Sequence, residues 1–196
     1  MSSQVQICNI ALNKISQGTI TSINEDTAQA IILKNLWDHT RDRCLRAHNW
    51  NFAVKRQTLS QLTATPAFEY SYYFQLPSDF LRELSLYQNC YPYKVEGDRI
   101  ATSASSINLI YIARITDTEK WDPLFTDYFS SVLAEDMARA FTGSESTAES
   151  LAQKAEKKLK LAKRVDAQHG SVDIKPISTG LTDTYIDIPP IFPEGY

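Results

Sequence analysis

The sequence predicts an α+β protein that is mainly α. It reads as an antiparallel bundle of four helices, with a small antiparallel β-sheet inserted between the second and third helices and an extended C-terminal arm. Three observations lead there. Apolar residues recur at steps of three and four in two stretches near the start and two in the last third of the chain. Between them, over about residues 52–116, the period shortens to two. After His169 come Pro176, Pro189, Pro190 and Pro193, which remove backbone donors and exclude helix.

The first helix is expected over about residues 3–17, from the spacing of Val5, Cys8, Leu12 and Ile15, with Gly18 as its stop. Residues 19–23 make a short extended connector, and Asn24 to Thr27 supply N-cap chemistry with acids placed to suit the helix dipole. The second helix then covers about 26–48, with Ala30, Leu33, Trp37, Thr40 and Cys44 on one stripe and Arg41, Asp42, Arg43 and Arg46 on other faces. In the insertion, Phe68, Tyr70, Tyr72 and Phe74 alternate before the turn signal Leu76-Pro77-Ser78-Asp79. Residues 81–87, 93–95 and 107–115 read as further strands, and Glu96-Gly97-Asp98 as a tight hairpin. Asp122-Pro123 opens the third helix, about 123–142, as N-cap and first helical residue. Thr142-Gly143-Ser144 breaks it. Ser146 and Glu149 have capping-box spacing for a fourth helix over about 146–169, roughly 36 Å long at about 1.5 Å per residue. Residues 1–169 thus form one domain and 170–196 an arm whose isoleucines and aromatics are too apolar for a solvated linker.

Composition narrows the function classes. The chain has 196 residues, 43% of them hydrophobic and 22% charged, ordinary values for one globular domain. A net charge of −3 argues against broad electrostatic capture of nucleic acid. Cys8, Cys44 and Cys90 lie far apart, so neither a disulfide framework nor a zinc site is indicated, and Cys8 and Cys44 read as buried thiols. No run approaches the roughly 18–20 apolar residues of a membrane span, and Met1 to Val5 lack signal-peptide features. The expectation is a soluble protein made in the cytosol, with no membrane partner.

Several segments resemble the head-to-tail adaptor family of short-tailed bacteriophages, also called tail tubular protein A. They are residues 7–12 (ICNIAL) and 20–23 (ITSI), then Arg41-Asp42, Leu45-Arg46 and residues 48–53 (HNWNFA). Residues 74–82 (FQLPSDFLR), 93–97 (YKVEG), 108–114 (NLIYIAR) and Phe125 after Asp122-Pro123-Leu124 continue the series. The specificity lies in their order and spacing from about Ile7 to Asp173; the final residues lie outside the match. The resemblance implies a structural virion protein at the head–tail junction, a helical bundle with a small β-domain assembled as a twelve-subunit ring. Its partners would be the portal protein above, the tail nozzle protein below, its own copies around the ring, and double-stranded DNA passing through without sequence-specific binding. In related adaptors the C-terminal segment clasps the portal. Here the docking residues would be Ile174, Ile177, Tyr185, Ile186, Ile188, Ile191, Phe192 and Tyr196. Thr182 to Ile188 has the chemistry of an added strand.

Other chemistry finds less footing. Residues 48–52 (HNWNF) read as a helix end, with His48 bonding a late carbonyl and Trp50 and Phe52 anchoring the crossing into the sheet. No nucleophile elbow or phosphate-binding glycine loop occurs among only 6 glycines. The three histidines lack metal-ligand spacing. The expectation is no enzyme, no catalytic or metal residues and no cofactor. The enzymatic alternative is a tail-associated glycan hydrolase acting on cell wall or polysaccharide, for which Glu25, Asp26, Glu83, Glu135 and Asp136 supply nominal carboxylates. Lys154, Lys157, Lys158, Lys160, Lys163 and Arg164 crowd the fourth helix, either as a solvated face or as a contact for an acidic partner or channel DNA. They also support a third reading, a DNA-binding regulator.

Overall fold

The first helix, α1 (Gln4–Lys14), begins at a capping box: the Ser3 hydroxyl accepts from the Gln6 amide while the Gln6 side chain accepts from the Ser3 amide. The computed structural model describes residues 3–87, 90–143 and 145–169. Ile7, Cys8, Ala11 and Leu12 are buried. The helix stops earlier than its apolar spacing suggests, because Ser16 takes the left-handed turn (φ 56°) and the Gln17 amide closes back on the Leu12 carbonyl. Gly18 lies beyond the stop and does not make it.

Thr27 caps α2 (Ala28–Arg46), its hydroxyl accepting from the Ala30 amide. Glu25, just outside, accepts from the amide and hydroxyl of Thr21, the amide of Ser22 and the hydroxyl of Thr27. These bonds, the Thr21 amide's first, hold its carboxyl below the usual range. The buried stripe holds the expected residues plus Leu45 and Arg41, the latter placed by the sequence on an outer face. Asp38 (2.7 Å) and Asp42 (2.9 Å) on the same helix pair with its guanidinium, which makes that burial tolerable.

The six strands among the described residues lie between α2 and α3, in two sheets rather than one. β1 (Val54–Thr58), β6 (Asn108–Ala113) and β3 (Phe80–Tyr87) pair antiparallel in the order β1-β6-β3. β2 (Tyr72–Gln75), β5 (Arg99–Thr102) and β4 (Tyr93–Glu96) pair as β2-β5-β4. The hairpin falls where expected: Glu96 faces Arg99, with Gly97 supplying the positive φ of 62°. The alternation from Phe68 does not make one strand, since only Tyr72 onward pairs and Phe68 is 81% exposed. β1 has no apolar alternation; it is an edge strand, and Lys55 to Thr58 are exposed.

α3 (Pro123–Thr142) starts at Asp122, whose carboxylate accepts from the Leu124 (2.8 Å) and Phe125 (3.2 Å) amides, and ends at Gly143 in the left-handed conformation. Replacing Asp122 by alanine should cost about 1 kcal/mol, read as a lower urea midpoint, with serine recovering most of it. α4 (Glu145–Asp166) is described from one residue before Ser146, so the Ser146–Glu149 spacing lies inside the helix; a 3-10 turn, Ala167–His169, follows. Contacts between Asp127 and Lys158 at one end and Arg139 and Glu145 at the other make α3 and α4 antiparallel. Ala134 and Ala138 on α3 and Ala148, Ala155 and Ala162 on α4 are all buried, and such small residues let the two backbones approach closely. α3 is the hub: α1, α2 and α4 each pack on it and scarcely touch one another.

Candidate functional site

The six cations of α4 do not share one environment. Lys158 turns inward, its ammonium 2.6 Å from Asp127 Oδ1 on α3. Lys160 pairs along the helix with Glu156 at 2.7 Å. Lys163 is half-buried beside His48 and contributes to lowering that imidazole's pKa. Lys154, Lys157 and Arg164 are exposed and have no carboxylate partner among the described residues. They alternate with Leu161, itself 42% exposed, at steps of three and four, so these four side chains form one stripe along the helix. The eight arm residues from Ile174 to Tyr196, and the arm as a whole, lie outside the described residues.

Lys158 belongs to a clasp that sequence spacing did not reveal. Lys14 Nζ, at the end of α1, donates to the hydroxyls of Ser130 (2.6 Å) and Ser131 (2.8 Å) and lies 3.3 Å from both the carbonyl and the carboxylate of Asp127. The two serine hydroxyls donate to the Asp127 carbonyl. Three helices therefore meet at one carboxylate flanked by two ammoniums. An open cleft of about 410 Å³ adjoins it, lined by Ile10, Thr118, Trp121, Pro123, Thr126, Asp127 and Ser130. Ser130 is fully buried with its hydroxyl engaged on both sides, an arrangement that holds helices together and leaves no free nucleophile.

His48 does not bond a late carbonyl of its own helix. Its Nε2 faces Asp166 Oδ2, 3.3 Å away, at the end of α4. Burial lowers its pKa; Lys163 and Arg82 pull the same way, and Asp166 offsets part of the effect. Asp166 also accepts from the Asn51 amide, and its carbonyl accepts from the Asn51 side chain at 2.6 Å. One residue thus ties the end of α4 to the junction of α2 with the sheets. Trp50 and Phe52 anchor that junction as expected, Trp50 meeting Phe125 edge to face at 5.0 Å.

Four of the five nominal hydrolase carboxylates are engaged in structural ties. Glu25 and Thr27 organise the turn before α2. Asp136 binds Thr40 (2.8 Å) and Arg43 (2.6 Å), Glu135 pairs with Arg139, and Glu83 accepts from the Tyr93 hydroxyl. Asp26 is exposed. Among the described residues no group of three histidine, cysteine, aspartate or glutamate side chains is placed to hold a metal ion, and none of the helices is long and apolar enough to cross a membrane. Cys8 and Cys44 are buried and Cys90 is exposed. No protein-family model matches the chain, and no curated protein matches it.

Proposed function

We propose that the protein is a structural component of a virion, without catalytic activity. More specifically, it acts as the head-to-tail adaptor of a short-tailed bacteriophage, a ring that joins the portal to the tail nozzle and lets DNA pass. What carries the reading is where the adaptor-like segments fall. The segment 48–53 is the α2-to-sheet junction, where Trp50 is buried and donates to the Cys44 carbonyl. The segment 74–82 contains Asp79, which joins Lys55 (2.5 Å) and the Tyr111 hydroxyl (2.9 Å) across the first sheet. Partial burial raises the Asp79 pKa, but those two donors outweigh it and hold the carboxyl below the usual range. Tyr111 itself comes from the segment 108–114. The motifs that carry the resemblance are the residues that build the joints of this fold, which is what shared architecture demands.

In this reading the helices stand side by side in an antiparallel bundle around a ring of twelve copies, and residues 170–196 reach the portal. Much of the cationic surface is internally paired, which suits a conduit: each neutralised phosphate adds salt-sensitive affinity and would slow DNA in transit. The test is negative-stain microscopy of the protein mixed with its cognate portal, with and without residues 171–196. Density for a ring added only by the full chain supports the reading and assigns the arm. Attachment by the truncated chain removes the arm's role, and no attachment by either form removes the adaptor role.

A further inference from the structure

The charge of this protein is unevenly placed. Residues 1–169 carry equal numbers of basic and acidic side chains, so the whole formal net charge of −3 resides in residues 170–196, where Asp173, Asp183, Asp187 and Glu194 stand against Lys175 alone. An acidic, apolar segment is matched on the described surface by the α4 stripe, where unpaired cations flank an exposed leucine. We propose that in the free protein residues 182–188 dock on this stripe of their own chain, with Asp183 and Asp187 on Lys157 and Arg164 and Tyr185 over Leu161.

The dimensions agree. Lys157 and Arg164 are separated by about 10 Å along a helix, and in an extended strand Asp183 and Asp187 lie on one face about 13 Å apart, with Tyr185 between them. Flexible cationic side chains span the difference, and Lys154 continues the stripe by one turn. The stripe is within reach: residues 170–181 span up to roughly 40 Å when extended, whereas Lys157 is about 18 Å of helical rise from His169. A short tether makes the effective concentration of the segment on the order of millimolar, which favours its own helix over a second copy. Other unpaired cations fit less well. Lys94 on β4 shares its face with Glu96 near Asp98, and Arg56 stands alone on β1. The inference concerns the isolated protein and does not depend on the adaptor reading: a docked segment is what any partner has to displace.

Zero-length carbodiimide cross-linking of the full chain at low micromolar concentration, with peptide mapping of the monomer band, tests it. The expected product joins Lys157 to Asp183 or Asp187 within one chain. Its yield should fall severalfold in the Arg164→Glu variant, which keeps the reacting Lys157 amine, and in roughly 0.5 M salt. In the fourfold variant Lys157→Glu/Arg164→Glu/Asp183→Lys/Asp187→Lys a cross-link between the same positions should form, because the charges are exchanged and the geometry is kept. Products found only between two chains place the segment on a second copy and overturn the proposal. So do products spread evenly over surface lysines, or none. A protein that binds portal through its arm yet fails here has an arm that is never stowed, so the two readings fail separately.

Discussion

Replacing Trp50 by alanine is expected to destabilise the protein by about 4 kcal/mol, the largest single effect of any core truncation considered for this fold. Trp50 is 1% exposed and lies where α2 gives way to the sheets. Its ring meets Phe125 edge to face at 5.0 Å and His48 at 4.9 Å, and tilts against Phe52 and Tyr128. Truncation removes all of these contacts and leaves a cavity between α3 and the sheet junction, which the ties from Asp166 keep from collapsing. The indole N–H is a smaller part: it donates to the Cys44 carbonyl at 3.0 Å, but that carbonyl keeps the Ala47 amide as a partner. Trp50→Phe should therefore cost less than half as much. At roughly 2–4 °C per kcal/mol for a chain of this size, the alanine variant should melt about 10 °C lower by circular dichroism. Phe68→Ala is the matched control: at 81% exposure it should change stability by less than about 0.5 kcal/mol. Equal losses at the two positions would mean that the junction is not the keystone of the core.

That contrast also marks what sequence alone could resolve. Trp50 stands just before the predicted insertion and Phe68 within it; both are aromatics that sequence assigns to packing, and only the three-dimensional pairing shows that Phe68 is exposed. The start of α3 was legible because capping is local: Asp122 needs only the two amides that follow it. The end of α1 was not, because Ser16 adopts a left-handed turn that glycine usually takes, and nothing in its neighbours announces that. Sequence does not separate the two sheets, because alternation reports which face a residue is on and says nothing about its strand partner. β1 leaves no sequence signal, because an exposed edge strand such as Val54–Thr58 has no apolar face to betray it. The six cations of α4 looked equivalent because the partner that withdraws Lys158 from the surface is 31 residues away, and Lys14 reaches the same site from 113 residues away. Of the arm, sequence supplies the chemistry and the described residues supply only its candidate berth.

The second large effect is a pH dependence arising at Lys14. Burial, reinforced by the neighbouring Lys158 ammonium and opposed by Asp127, pulls its pKa from 10.5 down to about 8. Asp127 shifts the other way for its type: burial raises it, but two ammoniums outweigh that and hold it below the usual range. The two shifts are compatible, because the carboxylate faces two cations while Lys14 faces one charge of each sign. Below pH 8 both folded and unfolded chains carry the Lys14 proton, and the cost of the buried charge is fully present. From pH 8 to 10.5 the unfolded chain keeps a proton that the folded chain has released, so stability rises with pH, by on the order of 3 kcal/mol across the window. Cys8 and Cys44 act oppositely: burial pushes both thiols from 9.0 to about 12, so above pH 9 ionisation of the unfolded chain lowers stability. Comparison with Lys14→Met separates the two, since the thiols cancel in the difference and Lys158 still neutralises Asp127. Urea unfolding of both proteins between pH 7 and 10.5 should show the wild type gaining on the variant by on the order of 3 kcal/mol. A difference that stays flat would mean that Lys14 remains protonated throughout, and that its ion pair with Asp127 outweighs its burial. Lys158→Ala, by removing the competing ammonium, should raise the Lys14 pKa and move the rise to higher pH.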